Sequence, residues 1–90
     1  MINKRLRIMI ADPQHHQRLR LERDFNRQGY YAIAPVSSLD EMLTLLACGG
    51  LGFDLVLVNA SLGTNERFDL STFCRHSPQV GQAVIYALPH

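Results

Sequence analysis

Phe53-Asp54-Leu55-Val56-Leu57-Val58-Asn59 decides the fold. Its aliphatic centre is unbroken, and unbroken runs mark strands covered on both faces, as in parallel sheets, whereas strands with one wet face alternate. Parallel strands are joined by crossovers, usually helices, so helical patterns should flank this run. Upstream, Ser38 followed by Glu41 is a capping box, in which each side chain satisfies an orphan backbone N–H. Leu39, Met42, Leu43 and Leu46 then recur at helical spacing until Gly49-Gly50 stops the helix. Downstream, residues 60–68 read as a polar loop, followed by a short helix from Asp69 or Leu70 to His76 that Ser77-Pro78 ends.

The same alternation extends to both ends. Leu6-Arg7-Ile8-Met9-Ile10-Ala11 is a short buried strand ended by Asp12-Pro13. Gln14 to Gln28 has no proline or glycine and reads as a charged helix, with Arg18–Glu22 and Arg20–Asp24 placed for i,i+4 ion pairs and Gly29 in the C′ role. Tyr30-Tyr31-Ala32-Ile33-Ala34 is a strand closed by Pro35, and Ala83-Val84-Ile85-Tyr86-Ala87-Leu88 is the fourth strand. The order is βαβαβαβ, an α/β doubly wound parallel sheet.

Composition bounds the function. Ninety residues make one small domain with a thin core, burying roughly 60% of its unfolded surface. With 47% apolar and 19% charged residues it is globular, and no apolar run reaches membrane-span length. Cys48 and Cys74 lack metal-ligand spacing and read as buried reduced thiols, which suits the cytoplasm. Residues 1–30 carry seven Lys or Arg against three acids, and residues 31–90 two against five. That asymmetry is too mild to imply nucleic acid, though it could steer a protein partner. His15-His16 diverge by about 100° on a helix and cannot share a metal. Gly49-Gly50-Leu51-Gly52 precedes a strand, the wrong polarity for a phosphate loop. No cofactor is expected.

Sites in open parallel sheets form at the carboxyl ends of the strands, which directs attention to Asp12-Pro13, Asn59 and Ala87-Leu88. Here the chain resembles a response-regulator receiver domain. Ile10-Ala11-Asp12 before a charged helix ending in Gly29-Tyr30 looks like the receiver's start, and Phe53–Asn59 looks like the strand that ends in the phosphate-accepting aspartate. The resemblance spans the whole chain and implies a flavodoxin-like sheet of order 2-1-3-4, truncated before the family's fifth strand and last helix. It also implies a degenerate pocket. Asp12 matches the first of the acidic pair that holds Mg²⁺, Pro13 takes the second position, Asn59 stands where the phosphoacceptor would be, and Ala87 or Leu88 replaces the hydroxyl residue. The family's lysine lies on the missing strand. An amide is a poor nucleophile and Mg²⁺ wants carboxylates, so aspartyl phosphotransfer is not expected and the chain is not read as an enzyme.

Two bland readings stand beside this one: Asp12 as a turn or N-cap residue before the first helix, with Pro13 at N1, and Asn59 as a turn residue. Arg18, Arg20, Arg23 and Arg27 read as a solvated helix face, on which the resemblance would place docking to a histidine kinase or phosphotransfer protein through Arg20 and Arg23. The uncovered edge of Ala83–Leu88, and alternate residues of Leu55–Val58 and Val84–Tyr86, point to a homodimer or an attached output domain. The expectation is a pseudo-receiver serving as an interaction and dimerisation module of a bacterial-type regulator, with no direct nucleic-acid or membrane contact. The alternatives are a receiver phosphorylated at Ser61 or Asp54 and a small flavodoxin-like ligand binder.

Overall fold

The structure is a computed structural model and describes residues 5–48, 52–63 and 69–87. Four strands form one all-parallel sheet: β1 (Ile8–Ala11), β2 (Ile33–Val36), β3 (Phe53–Asn59) and β4 (Val80–Tyr86), in the order β2-β1-β3-β4. Helices α1 (His15–Arg27), α2 (Leu39–Cys48) and α3 (Leu70–His76) make the crossovers, and a 3-10 turn spans Ala60–Gly63. This is the doubly wound, flavodoxin-like arrangement the sequence leads one to expect.

Strand alternation divides the buried residues between two faces. Met9, Ala11, Val36, Val56 and Val58 join Met42 and Leu46 of α2 and Leu70 and Cys74 of α3 in the main core. Ile8 and Ile10, equally buried, point to the other face, where α1 packs on β1 and β2. That face is only partly covered. Ile10 aligns with Leu57 and Leu57 with Val84, a single row across the sheet. Ile10 is sealed at its centre, whereas Val84 at the β4 end is 41% exposed, because α1 does not reach it. The helix itself carries no fully buried residue.

Several local expectations change. β1 starts at Ile8, not Leu6. β2 does not run over Tyr30–Ala34 but starts at Ile33, because Tyr30 N–H is still tied to the carbonyl of Phe25 at the end of α1. Pro35 lies inside β2 instead of closing it, which an edge strand tolerates because one side of its backbone has no neighbour to bond. β4 begins at Val80 and ends at Tyr86, so Ala87 lies just past it. Gly81 belongs inside that strand because a Cβ there would sit 2.8 Å from the Asp54 carbonyl oxygen.

The capping box is half realised. Glu41 N–H donates to Ser38 Oγ at 3.1 Å, but the Glu41 carboxylate accepts from the Ser37 hydroxyl at 2.6 Å. On α1 the expected Arg18–Glu22 and Arg20–Asp24 pairs give way to Arg27–Asp24 at 3.7 Å. Gly29 has φ of 95°, as its C′ role requires. Asp69 caps α3, accepting from Thr72 N at 3.1 Å. Cys74 is a buried free thiol, and burial pushes its pKa up. Gly49-Gly50, Leu88 and the Cys48 side chain lie outside the described residues.

Candidate functional site

Parallel pairing brings the carboxyl ends of β1, β3 and β4 side by side. Asp12 follows β1 directly, Asn59 ends β3, and Tyr86 ends β4 in register with Asn59. Asp12 is wholly buried and Asn59 is 6% exposed. A buried carboxylate is tolerable only when its oxygens are hydrogen-bonded. Asp12 Oδ2 accepts from Tyr86 Oη at 2.7 Å and from Asn59 Nδ2 at 3.2 Å, and Oδ1 accepts from the Gln14 backbone N–H at 2.8 Å.

The surroundings extend the network. Arg18 Nη1 donates to the Asp12 carbonyl oxygen at 2.8 Å, with Nη2 3.2 Å from His15 Nδ1. Asn59 Oδ1 accepts from Ser61 N–H at 2.9 Å, closing an Asx turn at the start of the 3-10 turn. Asn59 therefore acts both as a turn residue and as a partner of Asp12. Among the described residues, no buried side-chain nitrogen or oxygen lacks a partner. Burial raises the Tyr86 phenol well above its ordinary pKa, and the hydrogen bond to Asp12 and that carboxylate's charge push the same way. The phenol stays protonated and donating through the neutral range.

Of the two bland readings of Asp12, the turn residue holds and the N-cap does not. Gln14 is the N-cap of α1, without a side-chain cap bond, and Asp12 instead folds its carboxylate over the Gln14 N–H across Pro13. Pro13 is exposed and has no side-chain oxygen. Ala87 is exposed past the strand end and brings nothing polar. Arg20 and Arg23 lie elsewhere, on the outer face of α1 beside His16 and Arg27 along a groove of about 380 Å³. Of the residues singled out from sequence, the structure thus unites Asp12 and Asn59, passes Pro13 and Ala87 by, and leaves the two arginines apart.

Tyr86 is the member that sequence reading missed. The signal was present: a phenol inside an apolar strand, one residue before the position under scrutiny. Its register with Asn59 is set by pairing between strands, however, and not by local pattern.

Chemically the arrangement is closed. A carboxylate whose oxygens accept two N–H groups and an O–H has little capacity left for a cation. Among the described residues, no three His, Cys, Asp or Glu side chains gather as a metal site. No helix among them is long and apolar enough to cross a membrane. No model of a known protein family matches the chain, and no curated protein or solved structure does either.

Proposed function

We propose that this chain is a phosphorylation-incompetent pseudo-receiver that works through protein contacts, as an interaction and dimerisation module of a bacterial-type signalling or transcription regulator in the cytoplasm. One observation carries the reading. At the strand ends where a receiver would gather carboxylates around Mg²⁺, the single carboxylate of Asp12 is tied to the Asn59 amide and the Tyr86 phenol. An amide cannot take up a phosphoryl group as a carboxylate does, and a phenol that donates to the remaining carboxylate fills the place a cation would need.

The uncovered β4 end of the sheet supports the interaction half of the reading, since exposed apolar sheet surface ordinarily meets a partner. The arginine-rich face of α1, with Arg20 and Arg23 exposed, offers a second surface, for a histidine kinase or phosphotransfer protein. The alternative acceptor Asp54 is disfavoured, because its carboxylate accepts from the Arg7 backbone N–H at 2.8 Å at the opposite end of β3. Incubation with a small-molecule phosphodonor and Mg²⁺, followed by intact-mass measurement, tests the proposal. The expected spectrum shows the unmodified chain; a stable gain of one phosphoryl group overturns the reading, and peptide mapping then names the acceptor.

A further inference from the structure

The amino end of the sheet, opposite the Asp12 network, holds a cation fixed in place without a counter-ion. Arg7 directly precedes β1 and is half-buried. Its Nε donates to the Gly52 carbonyl oxygen at 2.8 Å, and its guanidinium carbon lies 5.0 Å from the centre of the Phe53 ring. Its backbone N–H donates to Asp54 Oδ2 at 2.8 Å, and its backbone carbonyl accepts from the Asp54 N–H at 2.8 Å. Asp54 is thus bound to the main chain of Arg7 and not to its charge. Among the described residues, no ion pair engages the guanidinium, and neither Nη1 nor Nη2 makes a hydrogen bond.

A charge drawn partly out of water is costly unless it is paired. The two terminal nitrogens of a guanidinium match the two oxygens of a carboxylate, and this fork is held by Nε and the ring before any ligand arrives, so little freedom is lost on binding.

The surroundings say what the anion should carry. A hollow of about 300 Å³ adjoins Arg7, walled by Tyr31, Ile33 and Ala34, by Leu45 of α2 and by Phe53 of β3. Among the described residues that line it, Arg7 alone is charged. Tyr31 is 74% exposed, a large aromatic that the core does not enclose. A bare inorganic anion would leave these walls wet, whereas an apolar body behind the carboxylate would cover them. The volume is at the lower end for ligand cavities and suits a molecule of one ring.

We propose that this hollow binds a small aromatic carboxylate, whose two oxygens take Arg7 Nη1 and Nη2 while its ring lies against the walls formed by Tyr31, Ile33 and Leu45. The site goes beyond the reading of the chain as an interaction module and does not rest on it.

NMR titration of the full chain with benzoate tests it. The expected result is saturable displacement, with a Kd of about 1 mM or tighter, of the Arg7 Nε–H and of the backbone amides of Tyr31, Ile33 and Leu45. Benzyl alcohol has the ring without the charge, and inorganic phosphate the charge without the ring. Each should bind at least about tenfold more weakly than benzoate. Arg7→Lys keeps the charge but loses the fork and should weaken benzoate by about tenfold. Tyr31→Glu, at an exposed rim position, should leave the fold intact and abolish binding by placing a like charge at the mouth. It decides the matter if Arg7→Lys does not fold.

Benzoate that leaves these signals unmoved, or that binds no better than benzyl alcohol or phosphate, overturns the site. So does benzoate that binds a folded Arg7→Lys or Tyr31→Glu as tightly as the wild type. The phosphodonor experiment concerns the other end of the sheet and judges the pseudo-receiver reading independently.

Discussion

Tyr86→Phe removes one oxygen and tests whether the phenol holds the strand ends together. In the wild type Asp12 Oδ2 has two donors, Tyr86 Oη at 2.7 Å and Asn59 Nδ2 at 3.2 Å. The substitution takes away the shorter, and the remaining bond is at the long limit for N–H···O. A hydrogen bond to a charged group contributes about 1.5–3 kcal/mol. Tyr86 is only half-buried, so water can partly replace the hydroxyl, and about 1.5 kcal/mol is the expected loss. With a urea slope near 1 kcal/mol/M for a chain this small, the unfolding midpoint falls by roughly 1.5 M.

The pH dependence supplies a second, independent signature. The folded-state pKa of Tyr86 is raised above the ordinary value of 10.0. Its contribution is therefore fully present below pH 10 and is lost as the pH climbs from there towards the raised folded value. Tyr86→Phe should flatten that alkaline slope. Titration of tyrosinate absorbance should show one of the three tyrosines ionising later than the others. Urea unfolding followed by circular dichroism, across neutral to alkaline pH, reads both effects. A loss below about 0.5 kcal/mol together with an unchanged alkaline slope would refute the argument, since that is the range of an inconsequential surface change.

Other perturbations probe the same framework. Asn59→Asp places a second carboxylate against buried Asp12 and should cost on the order of 3–5 kcal/mol at neutral pH. Protonating one of two adjacent carboxylates relieves their repulsion, so stability of the variant should recover as the pH falls, which urea unfolding at acidic and neutral pH will show. Gly52 has φ of 73°, and a Cβ there would sit 2.7 Å from the Gln79 carbonyl oxygen that accepts from Phe53 N–H. Gly52→Ala should therefore cost about 2 kcal/mol or more in a thermal or urea melt. Hydrogen bonds from the Thr72 hydroxyl and backbone N–H lower the Asp69 pKa below its ordinary 3.8. Its stabilisation is present above that value and lost as the pH falls through the lower folded one. Asp69→Ala should lower the unfolding midpoint at neutral pH and flatten the acid limb.

What could be read from the sequence divides along physical lines. β3 was legible to the residue and α3 to within one residue at its start, because an unbroken aliphatic run and the stretch from Asp69 to Ser77-Pro78 carry their own boundaries. The edge strands were less so. Tyr30-Tyr31-Ala32 has strand composition, but the backbone bond from Tyr30 back to Phe25 keeps it at the helix end. β4 was read only from Ala83, and its first three residues include Gly81, where the close approach of Asp54 leaves no room for a side chain. The charges on α1 could not be paired from spacing alone, because Arg18 found a tertiary acceptor, the Asp12 carbonyl, instead of Glu22.

The candidate site follows the same rule. Asp12 and Asn59 were legible as residues at strand ends, and the rule for open sheets placed them together. Tyr86 was not, since its meeting with Asp12 depends on the alignment of β4 with β3 and on the reach of a ring across two strands.

Titration of Mg²⁺ into the folded protein, followed through the NMR signals of the Asn59 side-chain amide and the Tyr86 ring, tests the central claim most directly. With the Asp12 carboxylate engaged by both groups, the account predicts no saturable displacement of either signal, only the weak linear drift of rising ionic strength. Saturable binding that moves Asn59 and Tyr86 together would mean that the network opens to admit a cation, and would contradict the closed pocket.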